Sequence, residues 1–238
     1  MSLNLYALSF DAKDPVALAR FWGGVLRREV AEDDGVYLRA EGKAGFRVQF
    51  LQSDAVKDRP NQIHFDLTSQ TPEEQQETVA RALELGGRHL DIGQGPEITH
   101  VVLADPEGNE FCVIAAGNKF LANTATIGAL SSDGTQAVGY FWSKALDWPL
   151  VWDQDEETAI QSPDGGSKIS WGGPPVAPKP PKNRLHLDVA PPPDGNPETE
   201  AKRLITLGAR RLPTRQHTPN AIPMADPDNN EFCVLTPR

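Results

Sequence analysis

The stretch ADPEGNEFCVI, residues 104–114, returns near the end of the chain as ADPDNNEFCVL, residues 225–235. Asp105 and Asp226, the second residue of each copy, are 226 − 105 = 121 residues apart, about half of the 238-residue chain. In both copies Asp-Pro opens a tight turn between two apolar strands. Gly108 in the first copy becomes Asn229 in the second. Since Gly and Asn best tolerate left-handed backbone, the sequence predicts a hairpin with a positive φ at this position.

Other segments repeat at nearly the same distance. NQIHFDL (61–67) matches NRLHLDV (183–189), ALELGGR (82–88) matches LITLGAR (204–210), and FWGGVL (21–26) matches FWSKAL (141–146). A long internal repeat indicates duplicated structural units. The sequence therefore predicts two homologous domains, residues 1–117 and 122–238, with GNKFLANT (117–124) as the linker.

Each half contains the same order of elements. LYALSF (5–10) alternates in polarity as a half-buried strand does, and DPVALARFWGGVL (14–26) has helical spacing with Asp14 as N-cap and Pro15 at the first helical position. Two strands follow, then the strand IHFDL (63–67), and then a helix capped by Thr71, with Glu74 completing a capping box. Three further strands end the half, which predicts an α+β fold.

Composition excludes several classes of function. The formal net charge is −10, and no run of Lys and Arg offsets it, so nucleic acid and anionic membrane are poor candidates for partners. No apolar stretch approaches the roughly 18 residues of a membrane helix, and charge appears too early for a secretory signal. The two cysteines occupy equivalent places in the repeat, which disfavours a disulfide framework. We expect a cytoplasmic protein, and self-association is compatible with the sequence.

The paired strand-helix-three-strand modules, closed by DPxGNEFCV and containing the IHFDL strand, resemble the vicinal oxygen chelate superfamily. This superfamily includes glyoxalase I, bleomycin-resistance proteins and extradiol dioxygenases. The resemblance implies a tandem glyoxalase/bleomycin-resistance/dioxygenase-like fold. Its paired βαβββ modules would form a cup-shaped, open, mixed β-sheet in each half. One fold hosts many chemistries, so the resemblance indicates the fold more strongly than the reaction.

Metal-binding members of this superfamily carry ligands on the cup side of four strands, usually His or Gln, Glu, His and Glu. Carried over, these positions are Ala7, Gln49, His64 and Cys112 in the first half, and Thr126, Ser170, His186 and Cys233 in the second. The expected carboxylates are missing from both sets, and the metals of this superfamily prefer nitrogen and oxygen ligands. We therefore predict no cofactor and no typical metal site. A divalent metal, with His64 and His186 as its candidate ligands, is the alternative.

Strand alternation predicts which side chains face each cup. If Phe65, Leu67, Phe111 and Val113 face the helices, the intervening polar side chains face the cup. The predicted ligand-binding residues are Gln49, His64, Asp66, Glu110 and Cys112 in the first half, and Ser170, His186, Asp188, Glu231 and Cys233 in the second. Such a face either lines a pocket or forms a structural polar network, and both interpretations remain open.

The function that follows is binding of a small organic ligand in a polar cup. One alternative is a glyoxalase-type lyase, isomerase or dioxygenase with an atypical metal site. Another is a non-catalytic scaffold, and the sequence leaves open whether the chain is an enzyme. Cys112 and Cys233 are interpreted either as small buried thiols or as nucleophiles, and a nucleophile would need a nearby cation or base.

Overall fold

The computed structural model describes residues 3–93, 95, 98–213 and 221–237, which form four copies of one βαβββ module. The first module contains β1 (Asn4–Ala12), α1 (Pro15–Leu26), β2 (Val30–Ala31), β3 (Val36–Leu38) and β4 (Arg47–Gln52). The second contains β5 (Ile63–Leu67), α2 (Pro72–Glu84), β6 (Arg88–His89), β7 (Val101–Ala104) and β8 (Glu110–Val113). The third contains β9 (Ile127–Ser132), α3 (Gln136–Leu146), β10 (Leu150–Gln154), β11 (Glu157–Ser162) and β12 (Gly165–Trp171). The fourth contains β13 (Leu185–Ala190), α4 (Pro197–Thr206), β14 (Arg210–Arg211), β15 (Ile222–Ala225) and β16 (Glu231–Val234).

The modules pair crosswise between the two halves of the chain. One eight-stranded sheet has the order β14-β15-β16-β13-β1-β4-β3-β2, and the other has the order β10-β11-β12-β9-β5-β8-β7-β6. The first, here called the terminal sheet, joins the first and fourth modules. The second, called the central sheet, joins the second and third. Both sheets mix parallel and antiparallel pairs, as β1 pairs antiparallel with β13 and parallel with β4.

The predicted α+β tandem fold of paired βαβββ modules is confirmed, but the partner expected for each module is corrected. We expected each half to form its own cup, whereas each sheet takes one module from each half. The domain boundaries, 1–117 and 122–238, stay a prediction. Their outermost residues, 1–2 and 238, lie outside the described part of the chain.

Local signals in the sequence act as predicted. The Asp14 carboxylate accepts a hydrogen bond from the Ala17 backbone N–H at the start of α1, and the Thr71 hydroxyl accepts one from Glu74 N–H at the start of α2. Each DPxxN turn has a left-handed residue where one was expected, with φ of 89° at Gly108 and 68° at Asn229. These turns fix the register of the last two strands of their modules.

One continuous apolar core lies between the two sheets. Trp22 of α1 packs edge-on against Phe65 of the central sheet at a centroid distance of 5.0 Å, and it also contacts Phe10 of the terminal sheet at 6.0 Å. Trp142 of α3 contacts Phe232 of the terminal sheet at 5.0 Å in the same way. Because the core covers one face of each sheet, the opposite face of each sheet is left to form a cup.

The DPxxN turns hold the two modules of each half together. The Glu107 carboxylate accepts hydrogen bonds from the backbone N–H groups of Lys13 and Asp14, just before α1. The Asp228 carboxylate accepts equivalent bonds from the backbone N–H and hydroxyl of Thr135, at the start of α3. The modules of one half therefore meet through helices and turns, while their strands belong to different sheets.

Among the described residues, no helix has both the length and the apolar character needed to cross a membrane. The cytoplasmic location stays a prediction.

Candidate functional site

A row of cup-facing residues crosses five strands of the central sheet. The residues next to them in sequence face the other side of the sheet and belong to the apolar core, among them Phe65, Leu130, Ile160 and Ile169. In strand order the row is Trp152, Ala159, Ser170, Ser131 and His64, each paired with the next across the sheet. Strand pairing therefore places an aromatic ring at one end of the floor, an imidazole at the other, and small side chains between them.

Asp66 is the centre of a polar cluster at the imidazole end of this floor. Its Oδ2 accepts a 2.5 Å hydrogen bond from the Ser131 hydroxyl, and its Oδ1 lies 3.4 Å from His64 Nε2. The Cys112 thiol also hydrogen-bonds this carboxylate. Burial, followed by the Asp66 charge and hydrogen bond, raises the pKa of Cys112 to about 12. The thiol therefore stays protonated at neutral pH and acts as a hydrogen-bond donor.

The terminal sheet contains the same cluster in a more buried form. Asp188 Oδ2 accepts a 2.5 Å hydrogen bond from the Ser9 hydroxyl, and Oδ1 lies 3.5 Å from His186 Nε2. The His186 side chain is 11% exposed, compared with 35% for His64. Burial raises the pKa of Asp188, opposed by the charge on His186 and by hydrogen bonds from Ser9 and Cys233. This carboxylate is thus more deeply buried than Asp66.

The two cups differ most in what covers the floor. The terminal row that corresponds to the central one is Ala31, Tyr37, Gln49, Ser9 and His186. Tyr37 and Gln49 thus stand where the central sheet has Ala159 and Ser170. The cavity beside His64 has a volume of about 560 Å³, whereas the cavity beside His186 has about 50 Å³. The central cup has room for a small organic molecule, whereas the cavity beside His186, as the described residues form it, has room for little more than water.

Aromatic side chains line the open cavity at the end away from His64. Trp152 is 38% exposed, and its ring meets that of Phe120 edge-on at a centroid distance of 6.3 Å. Phe120 belongs to the predicted linker, so this segment contributes to the cup as well as connecting the halves. The cavity therefore combines a polar floor with an aromatic wall.

The structure brings together most of the predicted site residues, but Gln49 and Ser170 each lie in the other sheet from the one expected. His64, Asp66 and Cys112 cluster on the cup face as expected, and so do His186, Asp188 and Cys233. The predicted grouping of Gln49 with His64, and of Ser170 with His186, is wrong because β4 and β12 belong to the opposite sheets.

Glu110 and Glu231 are both held by the chain itself. Glu110 forms a 2.5 Å ion pair with Lys57 and accepts a hydrogen bond from Asn61 N–H. Glu231 is paired with Lys179 at 2.9 Å and accepts from Asn183 N–H. These contacts anchor the loops before β5 and β13. Ligand binding by the ten predicted residues stays a prediction.

Sequence reasoning missed the residues of the first strand of each sheet. It selected Ala7 and Thr126, whereas register places Ser9 opposite both Gln49 and His186, and Ser131 opposite both Ser170 and His64. A signal was available, because Ser131 follows Ser9 by 131 − 9 = 122 residues, the same offset that separates His186 from His64. Phe120 and Trp152 carried no such signal, since the repeat gives them no aromatic counterpart.

The superfamily resemblance implies a divalent metal, and the donor atoms of each cluster determine which metal would fit. Each cluster offers one imidazole nitrogen, one thiol and one carboxylate oxygen, all within 4.8 Å of one another. This set does not fit a hard divalent ion that needs several carboxylates, because each cluster has one carboxylate and the neighbouring Ser131 adds only a hydroxyl in the central cup. Zinc is the ion whose ligand preferences match imidazole, thiolate and carboxylate.

Comparisons with known proteins agree with this architecture. The family model described as a glyoxalase-like domain matches twice, at residues 7–114 and 129–235. The structure is similar to glyoxalase I from Zea mays, with a TM-score of 0.70 and 13% identity over 99% of this chain and 92% of that one. It is also similar to a putative dioxygenase from Bacillus subtilis, with a TM-score of 0.62 and 13% identity over 99% and 85% of the two chains. No curated protein matches the chain by sequence.

Proposed function

The chain belongs to the glyoxalase-like domain family, and within that family we propose that it binds a small organic molecule in the central cup through its own side chains. The observation that carries this proposal is the cavity of about 560 Å³ above a floor of small polar residues. Cavities of this size, with an apolar wall and a few directed polar groups, are typical of small-molecule sites. An open cavity of this kind also disfavours the scaffold alternative.

His64 is the residue best placed to orient the ligand. Its ring is held between the floor and Asp66, whose carboxylate favours a proton on Nε2. In the neutral imidazole this arrangement leaves Nδ1 as a hydrogen-bond acceptor. Ser170 adds a hydroxyl to the cavity lining beside Ser131. Together these groups offer directed hydrogen bonds to a polar end of the ligand.

Cys112 supports a binding role rather than covalent catalysis. A nucleophilic cysteine needs a thiolate, and a pKa of about 12 leaves almost none at neutral pH. Asp66 beside the sulfur opposes ionisation further. The thiol therefore serves as a donor that helps to fix Asp66.

The experiment is a ligand screen by thermal stabilisation, followed by affinity measurements on two equivalent variants. A ligand that binds only the folded protein raises the melting temperature. His64→Ala in the open cup should weaken binding by roughly 1–3 kcal/mol, because a directed hydrogen bond is lost. His186→Ala in the closed cup is the matched control and should leave the affinity unchanged. Equal losses in both variants, or a loss only in His186→Ala, would overturn the proposal.

A metal-dependent lyase, isomerase or dioxygenase is the second candidate, favoured by the His-Asp-Cys grouping in each cup. The discriminating measurement is the metal content of the purified protein. We expect less than about half an equivalent of any transition metal, given the single carboxylate in each cluster. Stoichiometric zinc that disappears in His64→Ala or His186→Ala would favour this second candidate instead.

A further inference from the structure

The β10–β11 hairpin places uncompensated negative charge at the aromatic end of the central cup. Its sequence WDQDEE, residues 152–157, contains four carboxylates and no basic residue. Within the described part of the chain, none of these carboxylates takes part in an ion pair, although Asp153 accepts hydrogen bonds from Gln136 and Tyr140. Glu157 lines the cavity directly, and so does Trp152 beside it. An acidic edge next to an exposed indole face is a chemical match for a cation.

The terminal cup shows what the equivalent position holds when the cup is closed. The Arg47 guanidinium lies 4.0 Å from the centroid of the Tyr37 ring and 5.0 Å from that of Tyr6. Its Nη1 is 3.1 Å from Asp34, in the hairpin that corresponds to β10–β11. The terminal cup is therefore filled by a cation of the chain itself, stacked on aromatic rings and paired with an acidic hairpin.

The central cup has the same acidic and aromatic surroundings without that internal cation. The residue at the position of Arg47 is Lys168, which faces the cup from β12. Its ammonium group donates to the Phe120 carbonyl, lies 4.5 Å from the centroid of the Phe120 ring, and forms no ion pair with a hairpin carboxylate in the described part of the chain. The cavity lining includes the carboxylates of Asp133 and Glu157, and it contains neither Lys nor Arg. The open cavity beside Ser170 and Trp152 is thus bordered by carboxylates that form no ion pair within the described part of the chain.

We propose that the central cup selects an organic cation, a guanidinium or ammonium group carried on an aromatic or apolar body. This inference rests on the proposed function of the same cup. The cationic group lies beside Trp152 and Glu157, and the body extends along Ser170 and Ser131 towards His64. The selectivity comes from cation–π attraction and from carboxylates in a partly enclosed site, where screening by salt is weaker than in open solvent.

The test compares three probes of similar size and different charge: benzylguanidinium, its neutral near-isostere benzylurea, and phenylacetate. We expect benzylguanidinium to bind at least about tenfold more tightly than benzylurea, and phenylacetate to bind most weakly. Calorimetry gives the affinities. The indole N–H signal of Trp152, assigned with Trp152→Phe, shows where the probe lies. Added salt should weaken benzylguanidinium binding and leave benzylurea binding nearly unchanged.

Two triple variants that change the net charge by the same amount measure the contribution of the hairpin carboxylates to this preference. Asp155→Asn/Glu156→Gln/Glu157→Gln should reduce the preference for benzylguanidinium over benzylurea to about twofold or less. Glu73→Gln/Glu77→Gln/Glu84→Gln, on the exposed face of α2, should leave the preference intact.

Other results of these binding measurements would contradict the cation assignment. Equal binding of the cation and the urea, tighter binding of phenylacetate, or failure of all three probes to bind at millimolar concentration would overturn the cation assignment. The proposal that the cup binds a ligand is decided separately, by the thermal screen and the His64→Ala and His186→Ala comparison. If the cup binds its ligand with no preference for charge, the proposed ligand binding stands and the proposed selection of a cation is wrong.

Discussion

The central and terminal cups have the same strand register and the same Ser-Asp-His-Cys cluster, yet only one is open. The cavity beside His64, lined by Ser131 and Ser170, has a volume of about 560 Å³, whereas the cavity beside His186 has about 50 Å³. The backbone and the polar cluster are therefore not what makes a binding site in this fold. Gln49 stands at the register position of Ser170, so side-chain volume at this floor position is one difference between the two cups.

The same difference changes the electrostatics of the two clusters. Asp66 has a side chain that is 16% exposed, whereas that of Asp188 is 4% exposed. A carboxylate depends more on its hydrogen-bond donors when water cannot replace them. The closed cup should therefore tolerate loss of a donor less well than the open one.

Filling the open cup is expected to have the largest effect. Ser170→Tyr puts a bulky side chain on the lining of the central cavity, and it should weaken binding of a cup ligand by about a hundredfold because the cavity is occupied. Calorimetry with a ligand identified in the thermal screen measures the loss. Ser170→Thr, which keeps the hydroxyl and adds only one methyl group, is the control. Retained affinity in the filled variant would show that the ligand binds elsewhere.

The two serine donors should differ in their contribution to stability. Ser9→Ala should lower the free energy of unfolding by about 2–3 kcal/mol and Ser131→Ala by about 1 kcal/mol, since Asp188 is the more deeply buried acceptor. Urea denaturation provides the measurement. Ser132→Ala, which removes no side-chain hydrogen bond seen in the described structure, is the control. A larger cost for Ser131→Ala would contradict the burial argument.

The turn aspartates of the two sheets should respond differently to pH. Burial raises the pKa of Asp105 to about 6 and that of Asp226 to about 7, where the charge on Asp228 adds to the increase. The native state therefore holds protons that the unfolded state releases above about pH 4, so the stability contributed by each group falls as pH rises through this window. It is constant above the folded-state pKa.

The measurement is the stability difference between wild type and each Asp→Asn variant across this range of pH. For Asp226→Asn the difference should fall by about 2–3 kcal/mol between about pH 5 and pH 8. For Asp105→Asn the fall should be smaller and should end nearer pH 6. A difference that grows with pH at Asp226 would have the wrong sign for a raised pKa.

Cys112→Ser is expected to have the smallest effect. A hydroxyl donates to Asp66 as the thiol does, so affinity for a cup ligand should change by about twofold or less. Cys112→Ala removes the donor and should cost about 1 kcal/mol of stability, which makes it the paired comparison. Complete loss of function in the serine variant alone would indicate sulfur chemistry, contrary to the pKa of this thiol.

Much of each module could be predicted from the sequence because the signals are local. Asp14 and Thr71 cap their helices, Gly108 and Asn229 take left-handed backbone, and alternation in IHFDL sends Phe65 to the core. Each of these outcomes depends on interactions between neighbours in the chain. Because the module is repeated, such signals occur in both halves of the sequence, which makes them easier to recognise.

The pairing of modules could not be predicted in the same way. The edges of β1 and β9 offer equivalent hydrogen-bonding groups, so a strand from either half could pair with them. Contacts between elements distant in sequence accompany the observed pairing, such as the ion pair that joins Glu107 of the second module to Arg184 of the fourth at 2.9 Å. The open cavity could not be predicted for a further reason, because the repeat does not show which connecting segments, such as the one containing Phe120, line it.

The crosswise pairing also imposes an order on folding. The hydrogen bond that joins Ser131 to Asp66 in the central sheet closes a separation of 65 residues, whereas the one that joins Ser9 to Asp188 closes 179. Contacts distant in sequence form more slowly because a longer loop must be closed. During synthesis all strands of the central sheet are made before β13. Until β13 is made, the edge of β1 that pairs with it stays unpaired. An unpaired edge is a site for incorrect association, so β1 is the segment of this chain most in need of protection until its last module is made.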